Sequence, residues 1–360
     1  MGTAESGIKK TINTTKTMKT TEIQKTIAAC FASIVGQSRL IANRILAHSA
    51  YVMGSDAPTS ILISGAAGLG KTAILRADLA ARKAAVEIRA QREAETLFLR
   101  SPQDIRLAGD AYFSFVEHVQ NGDGQVADEL HEMDMSPTVQ TRKLKAILKG
   151  LLDNGQGPIR RVRLDDDTTI SRHVSEIYFG AGTNYPEKIK DGPAIISRFG
   201  GEIPLELYTA EDLAVILIRM AEAAGLRVHP DTVALIARCG RGTARPLESI
   251  VAHLSRVAVT AGKSTINRTE ALDAMRALAL FPLGVSEREV SILLASRNAG
   301  IPARMIPIRW AIEPKAAGLS IAFLSSLGFV AQPKAGLIQI TTKGDAYLQQ
   351  LRDERFTLPA

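Results

Sequence analysis

One glycine-rich stretch carries the clearest chemistry in the sequence. Residues 61–75 read ILISGAAGLGKTAIL, and Gly65, Gly70, Lys71 and Thr72 form the pattern G-x-x-x-x-G-K-T. Phosphate oxygens need several convergent N–H donors, which a loop with few β-carbons can offer beside the positive end of the following helix. In this pattern the lysine reaches the β- and γ-phosphates, and the threonine hydroxyl binds Mg²⁺. The predicted phosphate-binding loop consists of Gly65, Ala66, Ala67, Gly68, Leu69 and Gly70.

An acidic pair further along the chain fits the same chemistry. Asp128 and Glu129 follow Gln125-Val126-Ala127, where a second strand is expected to end. An aspartate there can hold the magnesium shell, and the adjacent glutamate can polarise the attacking water. A phosphate-binding loop alone does not distinguish a kinase, a GTPase, a transporter and a motor, so the order of the later motifs has to separate them.

Strands and helices in alternation must position these residues. The sequence predicts a strand at 61–64 before the loop and a helix at 73–84 after it. Further short strands are predicted near 86–89, 125–128 and 177–181. Such alternation predicts an α/β fold with a parallel sheet covered on both faces.

The regions outside this core have their own patterns. Residues 1–26 contain Lys and Thr but no apolar core, which predicts a disordered basic tail and not a secretory signal. Apolar residues from Glu22 to Ala50 recur at spacings of three and four residues, which predicts two short helices on either side of residues 35–37. Residues 155–169 are typical of an inserted hairpin.

The second half of the chain changes character. Residues 209–279 are wholly helical in pattern, with caps predicted at Thr209 and Asn267. Phe281-Pro282-Leu283-Gly284 is a predicted linker, and 285–355 predict three helices and a hairpin with its tip at 333–336. The predicted domains are a tail at 1–26, an α/β nucleotide-binding domain at 27–205, a helical domain at 206–281 and a winged helix at 282–360.

Composition narrows the class of protein. Apolar residues make up 46% and charged residues 22%, as in globular proteins. A net charge of +7 permits nucleic acid or an acidic membrane surface as a partner. Cys30 and Cys239 form no C-x-x-C pair, so a disulfide framework or zinc site is not expected, and a cytoplasmic location fits. No apolar run reaches the ~18 residues of a membrane span, so no membrane-spanning segment is expected. Of the two partners that the charge permits, nucleic acid is the one predicted, and not a membrane.

The order of the motifs resembles that of AAA+ ATPases of the RuvB type. The glycine loop and residues 122–133, GDGQVADELHEM, are similar to the Walker A and Walker B stretches of that family. The remaining matches, also in family order, are an adenine-pocket segment at 31–37, sensor 1 at 180–184, an arginine-finger segment at 197–200, a sensor 2 helix at 241–250 and a winged helix at 327–351.

The resemblance implies a role for each matching residue. ATP and Mg²⁺ are the implied cofactors, with Lys71 on phosphate and both Thr72 and Asp128 on the metal. Glu129 would be the base that polarises water, and either Thr183 or Asn184 would be sensor 1. The other implied site residues are Ile34 and Val35 at the adenine, Arg198 as a finger acting on the neighbouring subunit, and Arg245 as sensor 2.

The sequence also departs from the family. The equivalent RuvB hairpin docks the partner RuvA through apolar tips, whereas Arg160, Arg161 and Arg163 occupy it here, which argues against a RuvA-like partner. The tip of the C-terminal hairpin carries one lysine, Lys334, where the family tends to have several arginines, and this weakens the expectation that it contacts DNA.

These features predict an ATPase that forms a homo-oligomer, as a hexameric ring or a helical filament, and acts on DNA. The first hypothesis is a RuvB-like motor for Holliday junction branch migration or related translocation of DNA, a helicase-type activity in recombination and repair. The alternative is an ATP-dependent switch or loader of a phage or mobile element that assembles on duplex DNA. A scaffold without turnover is disfavoured by Lys71, Asp128, Glu129 and Arg198.

Overall fold

The chain forms two compact units in a computed structural model. The first unit ends at Leu207, and the second begins at Tyr208. The second unit contains the predicted helical lid segment except its first two residues, together with the predicted winged-helix segment. The structure describes residues 19–57, 59–100, 116–119, 121–135, 139–153, 159–163, 169–334 and 336–359.

A parallel sheet forms the centre of the first unit. The strands of this unit are β1 (Ile61–Ser64), β2 (Thr96–Leu99), β3 (Gly124–Ala127), β4 (Ile159–Arg163), β5 (Thr169–His173), β6 (Phe179–Thr183) and β7 (Glu202–Pro204). In the described chain, five of them pair in the order β2-β3-β6-β1-β7, each parallel to its neighbour. β1, β3 and β6 are buried along their whole length, as in sheets covered on both faces. The α/β fold with a parallel sheet is confirmed.

The helices of the first unit supply its apolar clusters. They are α1 (Thr20–Ala29), α2 (Ser38–Val52), α3 (Lys71–Ala90), α4 (Glu132–Met135), α5 (Val139–Leu151) and α6 (Gly192–Arg198). One cluster joins α1, α2 and α3, with Ile23, Ile27, Ala81 and Ala85 among its members. The other joins β1, β3 and β6 to α5 and the β4–β5 pair.

The helix after the glycine loop is longer than predicted. It runs to Ala90, so the strand predicted at 86–89 is wrong. Ala81 and Ala85 lie four residues apart on its buried face, and the alanine-rich sequence favours a continuous helix over a strand. The strand that follows is β2, which the sequence pattern had not indicated.

The first described helix begins inside the predicted tail. α1 starts at Thr20, whereas a disordered tail was expected to reach residue 26. Ile23 and Ile27 are four residues apart and almost fully buried, which gives this short segment an apolar face to pack. Residues 1–18 lie outside the described part of the chain.

The predicted hairpin is present, but one of its arginines points inward. β4 and β5 pair antiparallel, with Arg161 opposite Ser171. Side chains alternate along β4, so Arg160 and Val162 are buried, while Arg161 and Arg163 are exposed. The exposed face of β4 therefore carries Arg161 and Arg163, whereas Arg160 lies on its buried face.

The second unit begins with a helical segment. Its helices are α7 (Ala210–Ala223), α8 (Pro230–Ala237), α9 (Arg245–Ala261) and α10 (Arg268–Ala277), with a short parallel pair of β8 (Arg227–Val228) and β9 (Thr265–Ile266). The caps predicted at Thr209 and Asn267 are confirmed, because each side chain accepts a hydrogen bond from the N–H of the third helical residue. Phe281 and Pro282 of the predicted linker are buried, and the Tyr347 hydroxyl donates to the Pro282 carbonyl at 2.7 Å.

The rest of this unit combines helices with a small sheet. The elements are α11 (Glu287–Ala295), β10 (Ile301–Pro302), α12 (Met305–Arg309), α13 (Pro314–Ser326), β11 (Val330–Lys334), β12 (Leu337–Ile340) and α14 (Thr342–Asp353). β12 pairs antiparallel with both β10 and β11, so the predicted hairpin is confirmed. No helix in the described ranges is long and apolar enough to cross a membrane.

Candidate nucleotide-binding site

The glycine loop lies between the buried strand β1 and the start of α3. Gly65, Gly68 and Gly70 all have positive φ, at 148°, 87° and 79°, a region that side chains with a Cβ rarely adopt. A Cβ on Gly65 would also come within 3.0 Å of the Leu69 side chain. The glycines are therefore needed for the loop shape, and that shape directs backbone N–H groups and the positive end of α3 to one place.

The Lys71 side chain folds back over this loop. Its side chain is buried, and its ammonium donates to the carbonyl oxygens of Gly65 at 2.8 Å and Ala66 at 3.0 Å. The charge is thus held next to the loop, where phosphate oxygens would enter.

Thr72 and Asp128 form the second part of the site. The Thr72 hydroxyl donates to the Asp128 carboxylate, which is itself almost fully buried. Asp128 follows β3, Thr72 follows β1, and β6 lies between these two strands. Gly182 on β6 makes room for the carboxylate, because a Cβ there would collide with it.

These residues fit a magnesium ion that is shared with phosphate. Among the described residues, no group of three or more His, Cys, Asp or Glu side chains could hold a metal ion by itself. Mg²⁺ commonly takes only one or two protein oxygens and completes its shell with water and phosphate. One hydroxyl and one carboxylate beside a phosphate loop match that requirement.

Glu129 is held in a defined position beside Asp128. Its φ is 53°, an unusual value for a residue other than glycine, and its N–H donates to the Asp128 carboxylate at 3.0 Å. The Asn184 amide donates to both carboxylate oxygens of Glu129, at 3.0 and 2.8 Å. His131 Nδ1 lies 3.6 Å from the same carboxylate. The carboxylate is therefore oriented from two sides.

The geometry separates the two sensor 1 candidates. Asn184 faces Glu129, whereas Thr183 is fully buried and its hydroxyl lies 3.1 Å from His131 Nδ1. The Thr183 hydroxyl also accepts the N–H of Tyr185 at 3.1 Å, and the Tyr185 ring packs edge-on against His131. The sequence identified Thr183 and Asn184 as candidates but did not reveal the pairing of Asn184 with Glu129.

The segment predicted to contact adenine is tied to the end of the first unit. Ile34 packs against the α1–α2–α3 cluster, and Val35 is half-buried. Gln37 donates through its amide to the Glu206 carbonyl at 2.7 Å and accepts the Glu206 N–H at 3.2 Å. This two-way bond fixes the segment at a site that the sequence motif alone did not indicate.

A buried polar network that no sequence motif revealed anchors α3. Asp78 is fully buried and accepts hydrogen bonds from Arg44 Nε at 2.8 Å, Arg44 Nη2 at 3.0 Å and the Tyr178 hydroxyl at 2.6 Å. His48 Nε2 lies 2.9 Å from the same carboxylate. The sequence signal that could have indicated this network is Asp78, a charged residue at a core-facing position of α3.

The network shifts the protonation of its members. Burial acts to raise the pKa of the Asp78 carboxyl, but the Arg44 charge and the His48 contact outweigh it and hold that pKa well below its ordinary value of 3.8. Burial lowers the pKa of His48 from 6.5, so its ring is neutral at pH 7. Burial and the Asp78 charge raise the pKa of Tyr178 well above 10.0.

The predicted arginine finger, Arg198, has its contacts elsewhere in the first unit. Arg198 donates through Nε to the Lys149 carbonyl at 3.1 Å and lies 3.7 Å from the Asp153 carboxylate. It lines a small cavity with Ser60, which precedes β1, whereas the glycine loop follows β1. Four strand residues span ~13 Å, so Arg198 lies towards the opposite end of the strand from its own loop. Arg245 is the exposed first residue of α9 in the second unit.

The chain is similar in sequence to known RuvB proteins. It is 27% identical to the Holliday junction branch migration complex subunit RuvB of Granulibacter bethesdensis over 325 residues, or 87% of this chain and 80% of that protein. It is 28% identical to the RuvB subunit of Chlorobium chlorochromatii over 263 residues, or 72% of this chain and 67% of that protein. No family model matches the chain.

Solved structures agree on the fold. The chain is similar to a single-substitution variant of Thermotoga maritima RuvB, with a TM-score of 0.57 and 19% identity over 88% of this chain and 95% of that one. It is also similar to the structure described as the Thermotoga maritima RuvB Holliday junction branch migration motor, with a TM-score of 0.55 and 19% identity over 90% of this chain and 96% of that one. At this level of identity the likeness concerns the fold.

Proposed function

We propose that this chain, a RuvB-like AAA+ protein, is an ATP-hydrolysing motor that acts on DNA, with branch migration of Holliday junctions as its specific activity. One observation carries the proposal of ATP hydrolysis. The ends of β1, β3 and β6 bring Lys71, Thr72, Asp128, Glu129 and Asn184 into one site. The sequence similarity to RuvB subunits carries the proposal of DNA as the substrate.

The residues of the site have complementary roles. The loop N–H groups and the Lys71 ammonium bind phosphate oxygens and balance their charge. Thr72 and Asp128 would hold Mg²⁺ through a hydroxyl and a carboxylate oxygen, and the bound ion would supply positive charge to the transferring phosphoryl group. Glu129 orients the attacking water and takes up its proton, while the Asn184 amide sets the direction of that carboxylate.

A matched control glutamate makes the hydrolysis test specific. Lys71→Ala is expected to lose ATP binding, whereas Glu129→Gln is expected to keep binding and to lose turnover by at least ~10²-fold, at the low end for general base catalysis. Glu187→Gln changes an exposed glutamate three residues beyond Asn184 and is expected to keep the wild-type rate. A wild-type rate in Glu129→Gln would refute the assignment of the base.

The choice of DNA can be tested with the same enzyme. ATP turnover is measured with no DNA, with linear duplex and with a four-way junction, and the same samples are imaged. Junction-stimulated turnover by closed rings supports the proposed motor. Nucleotide-dependent filaments on plain duplex would instead support a switch or loader. No stimulation by either DNA would contradict a DNA-acting motor.

Arg198 is proposed to complete the site of a neighbouring subunit. Its location near Ser60 supports this, because its own glycine loop lies beyond the other end of β1. Arg198→Ala is expected to bind ATP but not to hydrolyse it, with a loss of ~10³-fold or more, as for other arginine fingers. Mixing it with Lys71→Ala subunits should restore part of the rate, because some interfaces then pair an intact loop with an intact arginine.

A local structural role of Arg198 must be separated from this one. Asp153→Asn removes its ion-pair partner but keeps the guanidinium, so it is expected to retain turnover. Full activity in Arg198→Ala, or no recovery on mixing, would contradict action between subunits.

The proposed assembly is a hexameric ring in the cytoplasm. In this proposal the C-terminal helices and hairpin contact DNA in a winged-helix arrangement.

A further inference from the structure

Arg241 occupies a strained position just before the helix that carries Arg245. Its φ is 50°, in the left-handed region that residues other than glycine rarely adopt. It follows the short helical turn Arg238–Gly240. It lies three residues before Ala244, the residue that directly precedes α9. Such strain persists only where the surroundings hold the residue in place.

The side chain of Arg241 reaches two other helices of the second unit. Its Nη1 donates to both carboxylate oxygens of Glu289 on α11, at 3.2 and 3.1 Å. Its guanidinium carbon lies 3.5 Å from the ring centroid of Phe323 on α13. Gly284 packs closely against the Arg241 side chain, because a Cβ at position 284 would come within 2.7 Å of Arg241 Cγ. One side chain therefore joins the start of α9 to both α11 and α13.

The chemistry of this contact requires arginine. Glu289 is only 2% exposed, and its carboxylate also accepts the N–H of Ser286 at 2.8 Å. A buried carboxylate needs a paired cation, and a planar guanidinium can bind both oxygens while it stacks on an aromatic ring. A lysine ammonium could supply the charge but not the stacked, planar contact.

A second contact zone lies at the other end of the helical segment. Arg268 on α10 contacts the Glu354 carboxylate at 2.6 Å, and Arg276 donates to the Glu354 carbonyl. Phe281 packs against Phe356, with ring centroids 5.5 Å apart. The two zones connect the helical segment with the C-terminal helices at separate places, but only the Arg241 zone adjoins the first turn of α9.

We propose that Arg241 is a positioning residue that transmits the nucleotide state sensed at Arg245 to α11 and α13. This rests on the proposed function, in which the C-terminal helices contact DNA, and on the role that the resemblance implies for Arg245 as sensor 2. A change at the first turn of α9 is then passed through the Arg241 guanidinium to Glu289 and Phe323. In the reverse direction, DNA bound by the C-terminal helices alters ATP turnover through the same side chain.

Hydrogen exchange of the full chain tests this transmission without DNA. Exchange of α11 and α13 amides is compared with ADP and with a non-hydrolysable ATP analogue. The wild type is expected to differ between the two nucleotides by about fivefold or more, the lower end for coupled sites. Arg241→Gln is expected to abolish the difference, whereas Arg268→Gln, at the second contact zone, is expected to keep it.

A second variant separates transmission from stability. Arg241→Gln leaves the buried Glu289 carboxylate unpaired, so its lower melting temperature alone would be uninformative. The double variant Arg241→Gln with Glu289→Gln replaces the ion pair by two neutral amides and is expected to regain most of the melting temperature. It should still lack the nucleotide-dependent exchange difference, which a purely structural role would have restored.

The ATPase assay gives an independent arm. The ratio of DNA-stimulated to basal turnover is expected to fall to about one in both Arg241 variants, with DNA affinity within about twofold of wild type. The proposal is overturned by a wild type without an exchange difference, by Arg241→Gln keeping it, or by Arg268→Gln losing it equally. A wild type that hydrolyses no ATP contradicts the proposed function instead, and the exchange comparison remains interpretable.

Discussion

Replacing Asp78 by asparagine is expected to destabilise the first unit by ~3–5 kcal/mol, as when one partner of a buried ion pair is removed. Asp78 is fully buried on α3, the helix that begins with Lys71 and Thr72. It is the shared acceptor for Arg44 and Tyr178, and it also contacts His48. Its removal therefore affects several buried polar groups at once.

The magnitude follows from the contacts. Asparagine keeps the volume, but its amide nitrogen is a donor that would face the donors of Arg44 or Tyr178. Arg44 makes two hydrogen bonds to Asp78, at 2.8 and 3.0 Å. Hydrogen bonds to charged groups contribute ~1.5–3 kcal/mol each, which gives ~3–6 kcal/mol for the pair. Relief of the buried carboxylate's desolvation offsets part of this loss.

Asp123→Asn is the matched control for this change. Asp123 is also buried, but its partner Arg92 is 52% exposed, so the arginine left behind regains water and the loss should be ~1 kcal/mol. Urea denaturation followed by far-ultraviolet circular dichroism measures both variants. Amide exchange along α3 should rise ~10²–10⁴-fold in Asp78→Asn, since each ~1.4 kcal/mol is tenfold. Equal losses in the two variants would refute the reasoning.

Three further outcomes follow from the described geometry. Gly182→Ala is expected to displace the Asp128 carboxylate. The Mg²⁺ concentration needed for half-maximal ATPase activity should then rise by ~10-fold or more, as it does when a residue that supports a metal ligand is lost. An unchanged magnesium requirement would count against Asp128 as a ligand. The free energy of unfolding should fall as the pH drops below 6.5, because His48 binds a proton more readily in the unfolded chain. It should fall again near pH 3.8 and below, because Asp78 also binds a proton more readily in the unfolded chain. In urea titrations at several pH values, His48→Gln should remove only the first of these two decreases. Non-specific DNA affinity should weaken steeply with salt, and Lys334→Ala should reduce the slope of log affinity against log salt by about one; an unchanged slope would exclude Lys334 from the contact.

The sequence identified residues that the structure brings together, but not their surroundings. Lys71, Thr72, Asp128 and Glu129 were identifiable as candidates because a site for phosphate and magnesium would restrict the residue types and their order. The pairing of Asn184 with Glu129 depends on the register of β3 beside β6, which sequence periodicity does not contain. The strand predicted at 86–89 failed because a short apolar alternation is compatible with the inner face of a helix.

Buried charge was the hardest property to predict. Arginine is usually exposed, yet the alternation of β4 places Arg160 on the same buried face as Val162. Arg44 and Asp78 lie in different helices, 34 residues apart, and only their packing against Tyr178 reveals that they share one network. The sequence therefore identified local motifs, whereas contacts between distant segments required the structure.

The distribution of charges across the first unit bears on how the enzyme is regulated. Lys71, Asp128 and Glu129 are each held by bonds within the unit, so the binding and water-polarising groups are arranged in a single chain. Arg198 is bonded at the end of α5 instead, through the Lys149 carbonyl, and has no hydrogen bond or ion pair to the glycine loop in the described ranges. With Arg198 in the finger role proposed above, an isolated subunit should bind ATP well and hydrolyse it slowly, because another copy would supply the group that stabilises the transition-state charge. On this basis turnover per subunit should rise with protein concentration across the assembly range, whereas ATP affinity per subunit should stay constant. A turnover per subunit that is already maximal for the dilute monomer would mean that the arginine acts only in its local contact with α5.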